Sequence, residues 1–269
     1  MRDRRRPTED AVLIFQPKSG AIASSPARRR RSEVSKVALS AEKTHTVPKE
    51  FGDLLARAPV SARAKSELKA SMEAAGRFYH TTAHLAQLWR RHRRYAAVEG
   101  FDVPAIEMLI ACAIAYHDSI YDMTRRDNED RSADFWLAAC AQINLSMADK
   151  LWVAETIRAT KDHLGYHPTV DVEHPDRADV WALKERARVW VLDLDLSPLG
   201  DLEANFDHNT ACLRREAEKI PDPDWRQGQR KFLSHLLAAP RIFRTPVLFG
   251  LYEAPARRNI ERLLARLDR

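Results

Sequence analysis

The stretch 108–118, "MLIACAIAYHD", decides the fold. Its first nine residues carry no charge and offer no polar face, so a helix here must be buried on every side. Pro104 suits a first helical turn, and the expected helix runs from 104 to 120. Such a helix needs neighbours, and the chain on either side supplies them. "SARAKSELKASMEAAG" starts on Ser61 as an N-cap and stops at Gly76, and another helix is expected over 80–98. Further on, "NEDRSADFWLAACAQI" (128–143) and "SMADKLWVAETIRATKDH" (146–163) read as two more, the second capped by Ser146. Residues 164–178 hold two prolines, Gly165 and three acidic residues and read as a loop. Helices resume at about 179–197, 201–218, 223–238 and 252–267. Only "VWVLDLDL" has strand flavour, and the helical "WALKERARVW" before it favours a continuing helix. There is no period-two alternation and no repeat. Residues 50–269 are expected to form one all-α domain.

The chain has 269 residues, 45% of them hydrophobic, enough for one large core. Its formal charge of +6 is unevenly placed. Residues 1–50 hold 12 Lys and Arg against 6 Asp and Glu, and the remainder holds 32 of each. The body is therefore neutral. Residues 1–49, with Arg clusters at 4–6 and 28–31, read as a disordered basic tail. A nucleic-acid contact is expected, if anywhere, through that tail alone. Cys112, Cys140 and Cys212 are far apart with no CxxC pairing, which fits buried thiols in a reducing compartment. No apolar run approaches the ~20 residues of a membrane span, and the "AVLIF" at 11–15 is too short for a signal-peptide core. The expectation is a cytoplasmic protein with no membrane partner.

Three elements carry chemistry. The apolar helix runs into His117 and Asp118. Burying an ionised carboxylate costs several kcal/mol unless a cation or good hydrogen bonds offset it. A metal ion answers that need; so does an Asp capping the turn "DSIYD", with the imidazole on a backbone carbonyl. His80 and His84 stand at i and i+4, one helix face, and imidazole is a common ligand of first-row transition metals. The pair alone fits exposed or capping roles as well. "VWVLDLDLSPLG" (189–200) sets Asp193 and Asp195 in an apolar helix, about 200° apart, so at most one faces a given site.

This H…HD…D order resembles the HD superfamily of metal-dependent phosphohydrolases. "RFYHTTAH", "AYHDSIYD", "NEDRSA", "LDLDLSPLG" and "EAPARRNI" together resemble a family of uncharacterised bacterial proteins described as predicted HD-superfamily metal-dependent phosphohydrolases, over most of residues 55–267. The resemblance implies an HD-domain helical bundle with His84, His117, Asp118 and one later Asp as metal ligands. Asp195 is the choice for the last, because "DLDLS" is similar to strings in which the ligand directly precedes Leu-Ser or Arg-Leu; Asp193 is the alternative. "YHTTAH" is similar to the YHNxxH of cyclic-nucleotide phosphodiesterases, which implies His80 as general acid. Thr81 replaces their Asn, and the His that follows their HD pair is missing.

Other candidates are secondary. Glu129 is placed to orient a metal-bound water, or simply to favour a helix N-terminus. Asn128 reads as a cap for the same helix. The resemblance gives His163 a second metal or a phosphate; a helix-end histidine is the plain alternative. Arg126, Arg214 and Arg257 are phosphate-binding candidates, or surface ion pairs. The implied cofactor is a divalent transition metal, with Mn, Fe, Co, Ni or Zn ahead of Mg, which prefers oxygen ligands. The implied partner is a small-molecule phosphate substrate, first a nucleotide, hydrolysed at its phosphoester. Two rivals stand beside the enzyme: a metal-retaining nucleotide sensor without turnover, and a di-iron oxygenase drawing on His163 with His167 or His174.

Overall fold

The computed structural model describes residues 48–170 and 179–268. The basic leading segment lies outside them, except that Lys49, expected to end it, opens the first helix. His174 and residues 171–178 of the expected loop lie outside them too. The described residues form ten α-helices and no strand. These are α1 (Lys49–Arg57), α2 (Ala62–Met72), α3 (Thr82–Glu99), α4 (Pro104–Tyr116) and α5 (Asn128–Ala139). They continue as α6 (Met147–Ala159), α7 (Val180–Leu196), α8 (Glu203–Glu216), α9 (Asp222–Ala238) and α10 (Pro246–Leu267). Short 3₁₀ turns follow α6 (Thr160–Asp162) and α7 (Ser197–Gly200).

The apolar helix is the hub. Residues 109–116 of α4 are all buried, and α1, α3, α5, α6 and α7 pack around it. The caps follow from local chemistry. Ser61 Oγ accepts from Ala64 N–H, and Ser146 Oγ from Asp149 N–H, each at 3.1 Å. α3 stops because Gly100 takes a left-handed φ of 81°, which lets Phe101 N–H reach Ala96 O at 2.8 Å. A buried pair ties three helices together. Arg186 of α7 donates to Glu99 Oε2 at 3.1 Å, while Glu99 Oε1 accepts from Val247 N–H at 2.8 Å at the start of α10.

Several boundaries differ from expectation. α4 ends at Tyr116, four residues early, because Ser119 N–H turns back to Tyr116 O at 3.1 Å and closes a tighter turn. α2 and α5 likewise stop short of Gly76 and Ile143. α10 begins at Pro246, well before residue 252. Pro255 lies inside this 22-residue helix, which lacks one interior N–H there. No helix among the described residues is long and apolar enough to cross a membrane.

Candidate metal centre

Three helices that pack together deliver the chemistry to one place. His84 comes from the first turn of α3, His117 and Asp118 from the end of α4, and Asp195 from the last turn of α7. One ligand atom from each of the four lies within 4.8 Å of all the others. His117 Nε2 is 2.9 Å from Asp118 Oδ2 and 3.3 Å from Asp195 Oδ1. His84 Nε2 is 3.6 Å from Asp118 Oδ2 and 3.3 Å from Asp195 Oδ1. Ligands ~2.1 Å from a common ion stand ~3.0 Å apart at right angles and ~3.4 Å apart at the tetrahedral angle. The spacing fits a single ion.

The hydrogen bonding fits as well. Both Nε2 atoms are buried and make no hydrogen bond, although carboxylate oxygens lie beside them. Such orphans are rare unless another partner is intended. His117 Nδ1 lies 2.9 Å from Ile114 O, an acceptor only, so Nδ1 carries the proton and Nε2 of the neutral ring keeps its lone pair. Asp195 turns Oδ1 to the imidazoles while Oδ2 meets His163 Nε2 at 2.7 Å. Electrostatics in the metal-free chain follow. Burial pushes His84 down, toward its neutral form. Burial also opposes charge on His117, but the Asp118 and Asp195 carboxylates outweigh it and hold His117 well above the usual range. Burial likewise works against both carboxylates, and the imidazoles overcome it, leaving each below its ordinary value. This His/Asp cluster can hold a metal ion.

His80 is beside this group for a reason other than the expected helix. α3 starts at Thr82, so His80 sits in the preceding turn and the i, i+4 argument does not apply to it. The turn is held from α8. Glu216 Oε1 accepts the N–H groups of Phe78, Tyr79 and His80 at 2.7, 2.8 and 3.0 Å, and the extended backbone of Thr81 separates this turn from α3. Its Oε2 meets His80 Nδ1 at 2.6 Å. The ring then lies against Tyr121, with centroids 3.8 Å apart, and Nε2 is 3.9 Å from Asp118 Oδ2. Burial disfavours the Glu216 charge, but His80 and the backbone donors prevail and its carboxyl is lowered. Arg77 clamps the other side, donating to His80 O at 2.9 Å, Asp118 O at 2.8 Å and Ser119 O at 2.9 Å. Neither Glu216 nor Arg77 was singled out in the sequence. Glu216 sits among charged residues and Arg77 beside Phe78 and Tyr79, and neither setting signals a clamp on a residue distant in the chain.

The remaining candidates scatter. Asp193 points away from the cluster: its Oδ2 accepts from Arg244 N–H, Thr245 N–H and Thr245 Oγ1 at 2.8, 2.7 and 2.8 Å. His163 reaches the cluster through Asp195. Glu129 lies in the first turn of α5, its carboxyl raised by burial. Asn128 is no N-cap; it clamps the loop, accepting from Asp122 N–H and donating to Asp122 O. Arg126 is exposed and lines no part of the cavity described below. Arg214 caps Ala217 O and Ile220 O, and Arg257 binds Glu253 and the carbonyls of Leu237 and Ala239 at the end of α9, so both are structural. His167 is exposed.

A cavity of about 370 Å³ opens over the cluster, with Asp118, Asp195, His80, Glu129 and His163 at one end of its lining. No family model, no curated protein and no solved structure matches this chain.

Proposed function

We propose that the chain is an HD-type metal-dependent phosphohydrolase acting on the phosphoester of a nucleotide or another small phosphate. The observation that carries this reading is the convergence of two unbonded imidazole Nε2 atoms and two carboxylate oxygens at the end of a cavity. His84, His117, Asp118 and Asp195 would hold the ion, and imidazole ligands favour Mn, Fe, Co, Ni or Zn over Mg. When bound, such an ion supplies Lewis-acid charge for the phosphoryl oxygens and lowers the pKa of a coordinated water.

The protein's own groups do the rest. His80 presents Nε2 to the cavity and hands a proton to the leaving oxygen, because Nδ1 is engaged by Glu216. Glu216 is a positioning residue: it touches His80 and the turn, and it does not line the cavity. Glu129 lines the cavity with a carboxyl raised by burial, and serves as acceptor for the attacking water. His163 braces Asp195 and so keeps Oδ1 aimed at the imidazoles.

The test is metal analysis of protein purified without chelator, followed by a phosphoester panel with Mn, Co, Ni and Mg. Bound transition metal and metal-dependent hydrolysis support the reading. Tight nucleotide binding with no turnover under any of these metals would make the protein a sensor, and absence of metal affinity would sink both.

A further inference from the structure

The cavity has two halves of different chemistry. The reactive end is described above; the opposite walls come from α8 and α9. On α8 the cavity-lining positions are 206, 209, 210 and 213, and on α9 they include 225, 229, 232 and 236. The α8 set follows i, i+3, i+4, i+7, the spacing of one helix face; the α9 lining is broader and also takes in 228, 231, 233 and 235. An apolar stripe of this kind normally closes on a core. Here Phe206, Leu213, Trp225, Phe232 and Leu236 pack on the core and also line the cavity.

The polar groups that α8 and α9 bring to the cavity are Asn209, Thr210, Gln229, Lys231 and His235. Thr210 Oγ1 is already committed, donating to Phe206 O at 2.9 Å, and Lys231 and His235 are exposed, which leaves the amides of Asn209 and Gln229 as the more buried polar groups. A ribose diol is best held by a carboxylate. No carboxylate of α8 or α9 lines the cavity: the four that do are Asp118 and Asp195 in the cluster, Glu129 at the reactive end, and Asp162 in the turn after α6. Sugar hydroxyls and base edges placed against these walls would go largely unpaired, which weakens binding.

Resting on the phosphohydrolase reading for its phosphate end, we infer that the ligand carries an apolar body, an alkyl or aryl group, where a nucleotide would carry its nucleoside. The phosphate lies at the His/Asp cluster and the apolar body fills the space between α8 and α9. Burial of each methylene contributes about a fourfold gain in affinity until the space is full.

The probes are n-alkylphosphonic acids from ethyl to octyl, which bind without turnover, titrated calorimetrically into the metal-loaded full chain. From ethyl to hexyl, affinity should rise by about 10²-fold. Half-buried Leu213 and Phe232 allow two independent substitutions, Leu213→Gln and Phe232→Gln. In each, hexylphosphonate should lose about tenfold while ethylphosphonate is unchanged. Affinity that stays flat with chain length, or adenosine monophosphate outcompeting hexylphosphonate, overturns the inference. Hydrolysis of the matching alkyl phosphates is followed separately. Chain-length-dependent binding with no hydrolysis would fail the proposed function and leave the apolar ligand standing. Hydrolysis indifferent to chain length would do the reverse.

Discussion

The Glu216 carboxylate lies 2.6 Å from Nδ1 of His80, a residue 136 positions earlier in the chain. The same carboxylate takes three consecutive backbone N–H groups, so one side chain sets both the turn and the ring. Glu216→Gln separates these tasks. The amide oxygen still accepts from the backbone, but its NH₂ cannot accept from Nδ1. Fold and metal content should persist while kcat falls about 10- to 100-fold with KM little changed. A purely structural role predicts a Gln variant as active as wild type, and steady-state kinetics decide between the two.

Metal uptake should depend on pH through His117. Its metal-free imidazole is held well above the usual range by Asp118 and Asp195 against the effect of burial, so it is charged at neutral pH. Ligation needs the neutral ring, and binding therefore releases that proton. Below the raised pKa, affinity should increase about tenfold per pH unit. Calorimetry in two buffers of different ionisation heat should detect the proton, and an affinity independent of pH would contradict the assignment of His117 as a ligand.

Asp193 gives a stability test away from the metal. Burial raises its carboxyl from 3.8 to about 6, with Arg244 and the Thr245 bonds opposing. The native state thus holds the proton more tightly than the unfolded chain. Its neutral form favours the fold below about pH 4, and that advantage is lost as pH rises through about 6. Relative to Asp193→Asn, which mimics the neutral group, wild type should lose about 3 kcal/mol between these limits. Urea melts of both proteins across this range check it; a constant difference would show that the bonds to Arg244 and Thr245 cancel the cost of burial.

How much was legible in the sequence depended on the range of the interaction. His117 and Asp118 were visible because a carboxylate at the end of an all-apolar helix demands a partner, and the buried α4 provides that setting. Asp193 and Asp195 were visible as a pair, but local geometry could not rank them. The choice depends on the segment at Arg244 and Thr245, about fifty residues away, which captures Asp193. His80 was found for a helical spacing it does not have. Its true support, Glu216, sits in "LRREAEK", which reads as a solvated helix end. The cavity could not be read at all, because apolar positions on α8 and α9 have the same spacing whether or not they also line a cavity.

The central claim is that His84, His117, Asp118 and Asp195 hold one divalent transition metal. Metal content by mass spectrometry, on chelator-free wild type and Asp118→Ala prepared in parallel, tests it most directly. Asp118 supplies one of the two negative charges that offset the ion, and its side chain is not what packs α4. Wild type should therefore retain about one ion per chain and the variant less than about a tenth of that, with the helical circular-dichroism spectrum of both proteins intact. Equal metal content in the two proteins, or none in either after loading with Mn, Co, Ni or Zn, would contradict the account.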